Sequence, residues 1–140
     1  MKVRLFLDTN IMLDLLGHRI PYYEPIAKLA SLADKGEIQL VVSALSFATV
    51  NYFLSRYEGK ERAKDLLRKF RIIAEIICVD DLIIEKGLNS NFSDFEDSLQ
   101  YFCAIKGECN SILTRNPKDF KESELPIMTA GEYLVSIGRK

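Results

Sequence analysis

Short apolar runs alternate with helical patterns along the whole chain, and this alternation is the strongest constraint on its fold. The first run, Val3–Leu7, predicts a strand that stops at a polar Asp-Thr-Asn segment. Strands separated by helices pair in parallel, because the crossover helix returns the chain to the same end of the sheet. The pattern therefore predicts an α/β fold with a mainly parallel sheet covered on both faces. Further strands are predicted at residues 39–43, 75–79, 111–114 and, as a short edge strand, 126–128.

The composition is that of one ordinary globular domain, which we expect to span residues 1–140. Of the 140 residues, 48% are hydrophobic and 28% are charged, which is enough to bury about two thirds of the unfolded surface. The formal net charge of −1 argues against a generally basic nucleic-acid coat but leaves room for a local basic patch. No run of about 18 uncharged apolar residues predicts a membrane span. The three cysteines lack metal-ligand spacing and are interpreted as reduced core thiols of a cytoplasmic protein: Cys78, Cys103 and Cys109.

A cluster of three acids marks the start of a largely apolar helix predicted over residues 94–106. Ser93 followed by Glu96 fits a capping box, which makes Ser93 the predicted N-cap and Asp94 the first helical residue. Glu96 then serves the cap and the helix dipole. Asp97 lies deeper, at the edge of a buried helix, and needs a cation or a donor to offset its desolvation. We therefore take Asp97 as the first choice for a catalytic residue.

Other polar groups follow the predicted strands. Asp8 follows the first strand, Asn116 and Asp119 follow the fourth, and Asp94 and Asp97 open the helix that leads into the fourth. Ligands of parallel sheets bind beyond the carboxyl ends of the strands, so these groups should converge on one edge. Converging carboxylates repel one another unless they share a cation, and oxygen ligands suit Mg²⁺ or Mn²⁺. A purely structural alternative is that Asp8 caps the first helix and Asp119 holds its own loop.

Three segments together resemble the PIN-domain family, which includes VapC-type toxin ribonucleases. They are residues 6–10 (Phe-Leu-Asp-Thr-Asn), 93–100 (Ser-Asp-Phe-Glu-Asp-Ser-Leu-Gln) and 113–120 (Leu-Thr-Arg-Asn-Pro-Lys-Asp-Phe). The resemblance covers nearly the whole chain. It implies a three-layer α/β/α sandwich with strand order 3-2-1-4-5. It also implies cleavage of single-stranded RNA with Mg²⁺ or Mn²⁺ held by acids.

The same resemblance assigns roles to individual residues. Asp8 and Asp97 match the family's metal ligands in type and place, and Asp94 matches an accessory acid. Asn116 stands where many members have aspartate, so it offers a neutral carbonyl oxygen, and Asp119 supplies the charge. The predicted catalytic residues are Asp8, Asp94, Asp97 and Asp119, and the predicted metal ligands are Asp8, Asp97 and Asn116.

One position departs from the family pattern. Members usually carry a glutamate early in the helix after the second strand, and here Thr49 occupies that place. Asn51 is a poor replacement, because two helical steps rotate it about 200° away, whereas Ser46 lies on the same face as Thr49. Loss of this acid lowers the charge of the site and its expected affinity for metal.

Two other classes of function therefore stay open beside the nuclease. A haloacid-dehalogenase-like phosphatase also has an aspartate after its first strand, but it needs a second acid where this chain has Asn10. A PIN-like binding or regulatory module with a degenerate metal site is the stronger alternative, because of Thr49 and Asn116.

The sequence also suggests where RNA and protein partners would bind. Arg115 and Thr9 lie at the predicted rim of the site and are the predicted substrate-binding residues. The helix after Gly59 is rich in Lys and Arg, but interleaved acids are equally typical of a solvated face. The resemblance implies a toxin of a toxin–antitoxin pair, and a homodimer is also expected. Aromatic residues available for a dimer contact or an antitoxin groove are Tyr22, Tyr23, Tyr52, Phe53 and Tyr57.

Overall fold

The computed structural model describes residues 2–139 and contains one five-stranded parallel sheet. Its strands are β1 (Val3–Leu7), β2 (Ile38–Ser43), β3 (Ala74–Ile77), β4 (Ser111–Leu113) and β5 (Ile127–Met128). They lie in the order β3-β2-β1-β4-β5, so β1 is the central strand. The predicted strand order and the central position of the first strand are confirmed.

Helices cover both faces of this sheet. Within residues 2–139, none of them is both long enough and apolar enough to cross a membrane. The predicted three-layer α/β/α sandwich is confirmed. The helices are α1 (Thr9–Leu16), α2 (Tyr23–Asp34), α3 (Ala44–Glu58), α4 (Lys60–Ile73), α5 (Asp81–Leu88), α6 (Phe95–Lys106) and α7 (Ala130–Ser136), with a 3₁₀ helix at Pro117–Phe120.

The central strand separates two hydrophobic cores. Leu5 and Leu7 face the larger core, which α1, α2, α3, α4 and α7 cover. Phe6 points to the opposite face and packs in the smaller core beneath α5 and α6. Successive side chains of a strand point to opposite faces, and all three of these side chains are fully buried. The uninterrupted apolar run of β1 is therefore explained by burial on both sides of the sheet.

The start of α6 differs from the sequence prediction. The helix begins at Phe95, and Asp94 is its N-cap, because Asp94 accepts a hydrogen bond from the main-chain N–H of Asp97 at 3.1 Å. The predicted capping box with Ser93 as N-cap was therefore wrong by one residue. Aspartate caps helices about as well as serine, so the local sequence allows both starts.

The prediction that the cysteines are core thiols is correct for two of the three. Cys103 and Cys109 are buried thiols of the smaller core, as expected. Cys78 is exposed, because β3 ends at Ile77 and Cys78 lies just beyond its last paired residue.

We expect Leu40→Ala to lower the free energy of unfolding by about 2–5 kcal/mol, because it opens a cavity at a fully buried position beside the central strand. Urea denaturation measures this loss. The matched control is Leu82→Ala on α5, whose side chain is 56% exposed and whose loss should change stability by less than about 0.5 kcal/mol. Equal effects of the two substitutions would contradict this assignment of the core.

Candidate active site

Asp8 lies where the central strand ends and α1 begins. Its main-chain N–H donates to the carbonyl of Leu113 at 2.9 Å, which continues the parallel pairing of β1 and β4 by one residue. Its side chain makes no capping hydrogen bond to α1, although Asp8 occupies the N-cap position. Instead Oδ2 accepts a hydrogen bond from the Thr114 hydroxyl at 2.8 Å. The capping alternative therefore does not account for this carboxylate.

Asp8 is only 5% exposed. Burial raises its pKa, and hydrogen bonds from the side chains of Thr114 and Gln100 oppose that rise because they favour the charged form. The site therefore contains a buried acid whose ionised form is supported by neutral donors.

A buried network of neutral polar groups surrounds Thr9, the residue after Asp8. Gln100 Oε1 accepts hydrogen bonds from the Thr9 main-chain N–H at 3.0 Å and from its hydroxyl at 3.3 Å. The Thr9 hydroxyl also lies 2.7 Å from the hydroxyl of Ser46. The network joins α1, α3 and α6 at the carboxyl edge of the sheet. Because the Thr9 hydroxyl already has two protein partners, the predicted contact of Thr9 with substrate gains no support from these contacts.

Gln100 was missed by the sequence analysis. Gln100 has a polar amide side chain, yet it is only 2% exposed. It lies in the middle of α6, whose residues are mostly apolar. A polar residue flanked by Leu99 and Tyr101 is a signal that could have pointed to it.

Asp97 is in the first turn of α6, three residues before Gln100 and on the same helical face. Since Gln100 contacts the residue after Asp8, Asp97 faces the same end of the sheet as Asp8. Burial raises the pKa of Asp97 to about 7, with repulsion from Asp94, Asp8 and Asp119 adding to the rise. These acids therefore form one cluster of negative charge at the site.

Asn116 and Asp119 enter the site from the segment after β4. The main-chain N–H of Asn116 donates to the Thr114 hydroxyl at 3.1 Å, and that hydroxyl donates to Asp8. Asp119 lies in the 3₁₀ helix, and its own main-chain N–H donates to the Asn116 carbonyl at 3.0 Å. The Asp119 carboxylate has no hydrogen bond to another group within residues 2–139, so it does not act as a brace for its loop.

Thr49 is on α3, one turn after Ser46 and on the same face. The Ser46 hydroxyl is part of the network around Thr9, so this face of α3 is turned toward the site. Asn51 is turned along its own helix, where Oδ1 accepts a hydrogen bond from Ser55 at 3.3 Å. The place where the family pattern has an acid is therefore occupied here by neutral side chains.

Arg115 is held by an acid that the sequence analysis missed. Its Nε lies 2.9 Å from Oδ2 of Asp14, a carboxylate in α1 whose side chain is fully buried. Its guanidinium lies over the ring of Tyr22, with Cζ 4.1 Å from the ring centroid. Burial raises the pKa of Asp14, and the charges of Arg115 and Arg19 oppose that rise. An acid inside the apolar run of α1 was the signal that could have identified Asp14.

The donor set fits a divalent cation of the magnesium type. Among residues 2–139, no group of three or more His, Cys, Asp or Glu side chains that could hold a metal ion is present, so a cation here would have at most two carboxylate ligands of this kind. Mg²⁺ is commonly bound through one or two carboxylates, with water filling its other positions. The carboxylates of Asp8 and Asp97 with the amide oxygen of Asn116 match that chemistry. Burial and repulsion from the neighbouring acids raise the pKa of Asp97. A cation bound between these acids would neutralise the negative charge that causes the repulsion.

Comparison with known proteins identifies the family of this chain. Residues 4–118 match the family model described as PIN domain, which is more than half of the chain. The chain belongs to the PIN-domain family. Among curated proteins it is similar to Ribonuclease VapC1 of Aquifex aeolicus, with 28% identity over 135 residues, 93% of this chain and 92% of that protein.

Several solved structures have the same fold as this chain. A toxin–antitoxin complex from Klebsiella pneumoniae is similar with a TM-score of 0.64 and 23% identity, over 90% of this chain and 97% of that chain. The sarcin–ricin-loop-cleaving toxin VapC20 of Mycobacterium tuberculosis is similar with a TM-score of 0.65 and 12% identity, over 84% and 94% of the two chains. At these identities the likeness concerns the fold.

In metal-free buffer with EDTA, we expect stability to fall as the pH rises from about 5 to 8. Folded Asp97 binds its proton more tightly than the unfolded chain, whose aspartate pKa is about 3.9, so its contribution is complete below that value and is lost as the pH passes about 7. Asp97→Asn should raise the melting temperature at pH 8 and flatten the pH dependence. Asp8 and Asp14 have raised pKa values as well, so some dependence should remain.

Differential scanning calorimetry across this pH range provides the measurement. Glu122→Gln removes an exposed carboxylate outside the site and serves as the control. An Asp97→Asn profile parallel to that of the unmodified protein would contradict the proposed charge cluster.

We expect Mn²⁺ to raise the melting temperature at neutral pH, because it binds the folded acids and not the unfolded chain. At a free concentration a hundredfold above Kd, the stabilisation should be about 2.7 kcal/mol. The shift should disappear in Asp97→Asn and persist in Glu122→Gln. If millimolar Mn²⁺ leaves the melting temperature of the unmodified protein unchanged, the site is vestigial.

Proposed function

We propose that this chain, as a single PIN domain, is a divalent-metal-dependent endoribonuclease that hydrolyses single-stranded RNA. The observation that carries the proposal is that the buried Asp8 and the half-buried Asp97 repel each other at the carboxyl edge of the parallel sheet, where burial and this repulsion raise the pKa of Asp97. Similarity to a ribonuclease over 93% of the chain supports it. The cytoplasm, where RNA is available, is the expected place of action.

In this proposal Asp8, Asp97 and the amide oxygen of Asn116 hold Mg²⁺ or Mn²⁺. When bound, such an ion lowers the pKa of a coordinated water and stabilises charge on the phosphate. Thr114 fixes the orientation of Asp8 by donating to its Oδ2 at 2.8 Å. Asp119 is exposed, and within residues 2–139 its carboxylate has no hydrogen bond, which suits it to accept a proton from a water in the site.

Asp94 has a second role in this scheme. Its Oδ1 is occupied by the main-chain N–H of Asp97, which holds the first turn of α6 in place. The other carboxylate oxygen stays available to a water molecule in the site. Asp94 thus acts as an accessory acid that also positions Asp97.

We infer that the protein is the toxin of a toxin–antitoxin pair. The similar structure from Klebsiella pneumoniae is a toxin–antitoxin complex. A cavity of about 440 Å³ between α1 and α3 offers apolar surface for an antitoxin segment, with Leu13, Phe53 and Tyr57 in its lining. Tyr57 is 83% exposed and Phe53 is 38% exposed, so two aromatic side chains lie open beside each other at this cavity, as in surface patches that bind protein partners. A homodimer through the same aromatic surface stays a prediction.

A PIN-like binding module with a degenerate metal site is the second candidate function. It is favoured by Thr49 at the family's acid position, by neutral Asn116 and by the absence of a three-acid metal cluster within residues 2–139. The two candidates differ in whether the purified protein cleaves RNA.

The purified protein should cleave single-stranded RNA in Mn²⁺ or Mg²⁺ and stop when EDTA is added. Asp97→Asn and Asp8→Asn should each lower the rate by more than about 100-fold, since even outer residues of metal sites contribute about 10- to 100-fold. Asparagine keeps the shape and one carbonyl ligand but removes the charge that holds the cation. Gel analysis of a labelled RNA gives the rates, and circular dichroism checks the fold.

Glu122→Gln should retain the full rate. Thr49→Glu adds the acid of the family pattern and should raise metal affinity or rate if its absence limits the reaction. Cleavage that persists undiminished in Asp97→Asn would come from a contaminant or another site. The ribonuclease proposal would then be rejected in favour of the binding module.

A further inference from the structure

A second cavity, of about 340 Å³, lies beside the candidate active site. Asn116 belongs to both, because it lines this cavity and also follows Thr114, the residue that holds Asp8. Its lining includes the side chains of Asp14, Tyr22, Arg115 and Asn116.

The Arg115 guanidinium is held on two sides within this cavity. Asp14 lies 2.9 Å from its Nε, and the face of the group rests on the ring of Tyr22 at 4.1 Å. Its two terminal nitrogens have no hydrogen-bond partner among residues 2–139, and the side chain remains 23% exposed. A planar fork that is fixed in orientation and has free terminal donors is suited to binding a phosphate.

Asp14 has two cationic neighbours. It is fully buried, and besides Arg115 it has Arg19, whose Nε lies 3.9 Å from Oδ1. Arg19 does not line the cavity and the charge of Asp8 also acts on Asp14, so the positive charge in the cavity itself is that of Arg115. A buried ion pair is on average a poor stabiliser compared with apolar side chains, so stability alone is a weak reason for Asp14 at this position. A stronger reason for Asp14 at this position is that it fixes Arg115 beside the candidate active site.

We propose that this cavity is a subsite for the RNA strand, in which Arg115 binds a phosphate next to the one that is cleaved. Asp14 and Tyr22 are positioning residues that hold the guanidinium in place. The location of Asn116 between the cavity and the acids puts the two phosphates on one continuous path. This subsite rests on the proposed ribonuclease function and specifies how its substrate is held.

Binding of a 5′-fluorescein-labelled single-stranded RNA of ten nucleotides, measured by anisotropy in EDTA, tests the subsite without cleavage. Each phosphate contact on a single strand contributes about 0.7 to the slope of log K against log salt concentration. Arg115→Gln should lower the slope by about 0.7 and weaken binding about tenfold. Arg115→Lys should recover the slope, because it keeps the charge and loses only the planar fork.

Two variants separate binding from folding. Arg115→Gln leaves Asp14 buried with the more distant Arg19, at 3.9 Å, as its cation. The double variant Asp14→Asn, Arg115→Gln removes both charges of the closer pair together and should keep the fold while the slope stays lowered. Arg4→Gln is the matched control, since Arg4 is also paired to a carboxylate, Glu75 at 2.8 Å, but lies at the opposite end of β1. Its slope should equal that of the unmodified protein.

The outcomes for the subsite and for the nuclease are distinct. An unchanged slope in a folded double variant, or no binding of RNA by the unmodified protein at low salt, overturns the subsite. If the unmodified protein cleaves RNA in Mn²⁺ while that slope is unchanged, the ribonuclease proposal stands and the subsite is rejected. If binding depends on Arg115 but no cleavage occurs, the cavity is shown to bind an RNA phosphate, and the ribonuclease proposal is rejected together with the position of that phosphate next to a cleaved one.

Discussion

The parallel pairing of β1 with β4 determines where every group of the candidate site lies. Leu7 is in register with Leu113, so the next residues of the two strands, Asp8 and Thr114, are neighbours just beyond the sheet. The hydrogen bond between their side chains follows directly from that register. A shift of one residue would turn the side chains of β1 to the opposite faces and separate this pair. The chemistry of the site is thus tied to the packing of both cores.

The same arrangement has an electrostatic cost. Asp8 is buried at the edge of the sheet, and Asp97 is partly buried among other acids. Each has a raised pKa, which means that the folded protein holds these charges less favourably than water does. At Asp8, hydrogen bonds from the neutral side chains of Thr114 and Gln100 reduce this cost. At Asp97, burial and repulsion from the neighbouring acids both add to it. A site of this kind is unfavourable for folding and favourable for a cation.

The fold and the main acids were predictable because their signals are local. Alternating strand and helix patterns predicted the sheet, and an aspartate after an apolar strand marked Asp8. Asp14 and Gln100 were not found, because their partners are distant in sequence. Arg115 lies about a hundred residues from Asp14, and Gln100 is 91 residues from Thr9. Only the packed structure brings such pairs together. The start of α6 was predicted one residue too early for a different reason, because Ser93 and Asp94 are N-cap residues of similar strength.

The network of Thr9, Ser46 and Gln100 has a consequence for the order of events in the cell. Hydroxyl and amide groups connect three helices at the sheet edge without adding charge. A glutamate in place of Thr49 would bring a further negative charge to the same edge. With neutral groups there, the contacts between the three helices need no cation to balance them. Loading of the proposed metal would then follow folding rather than be a condition for it.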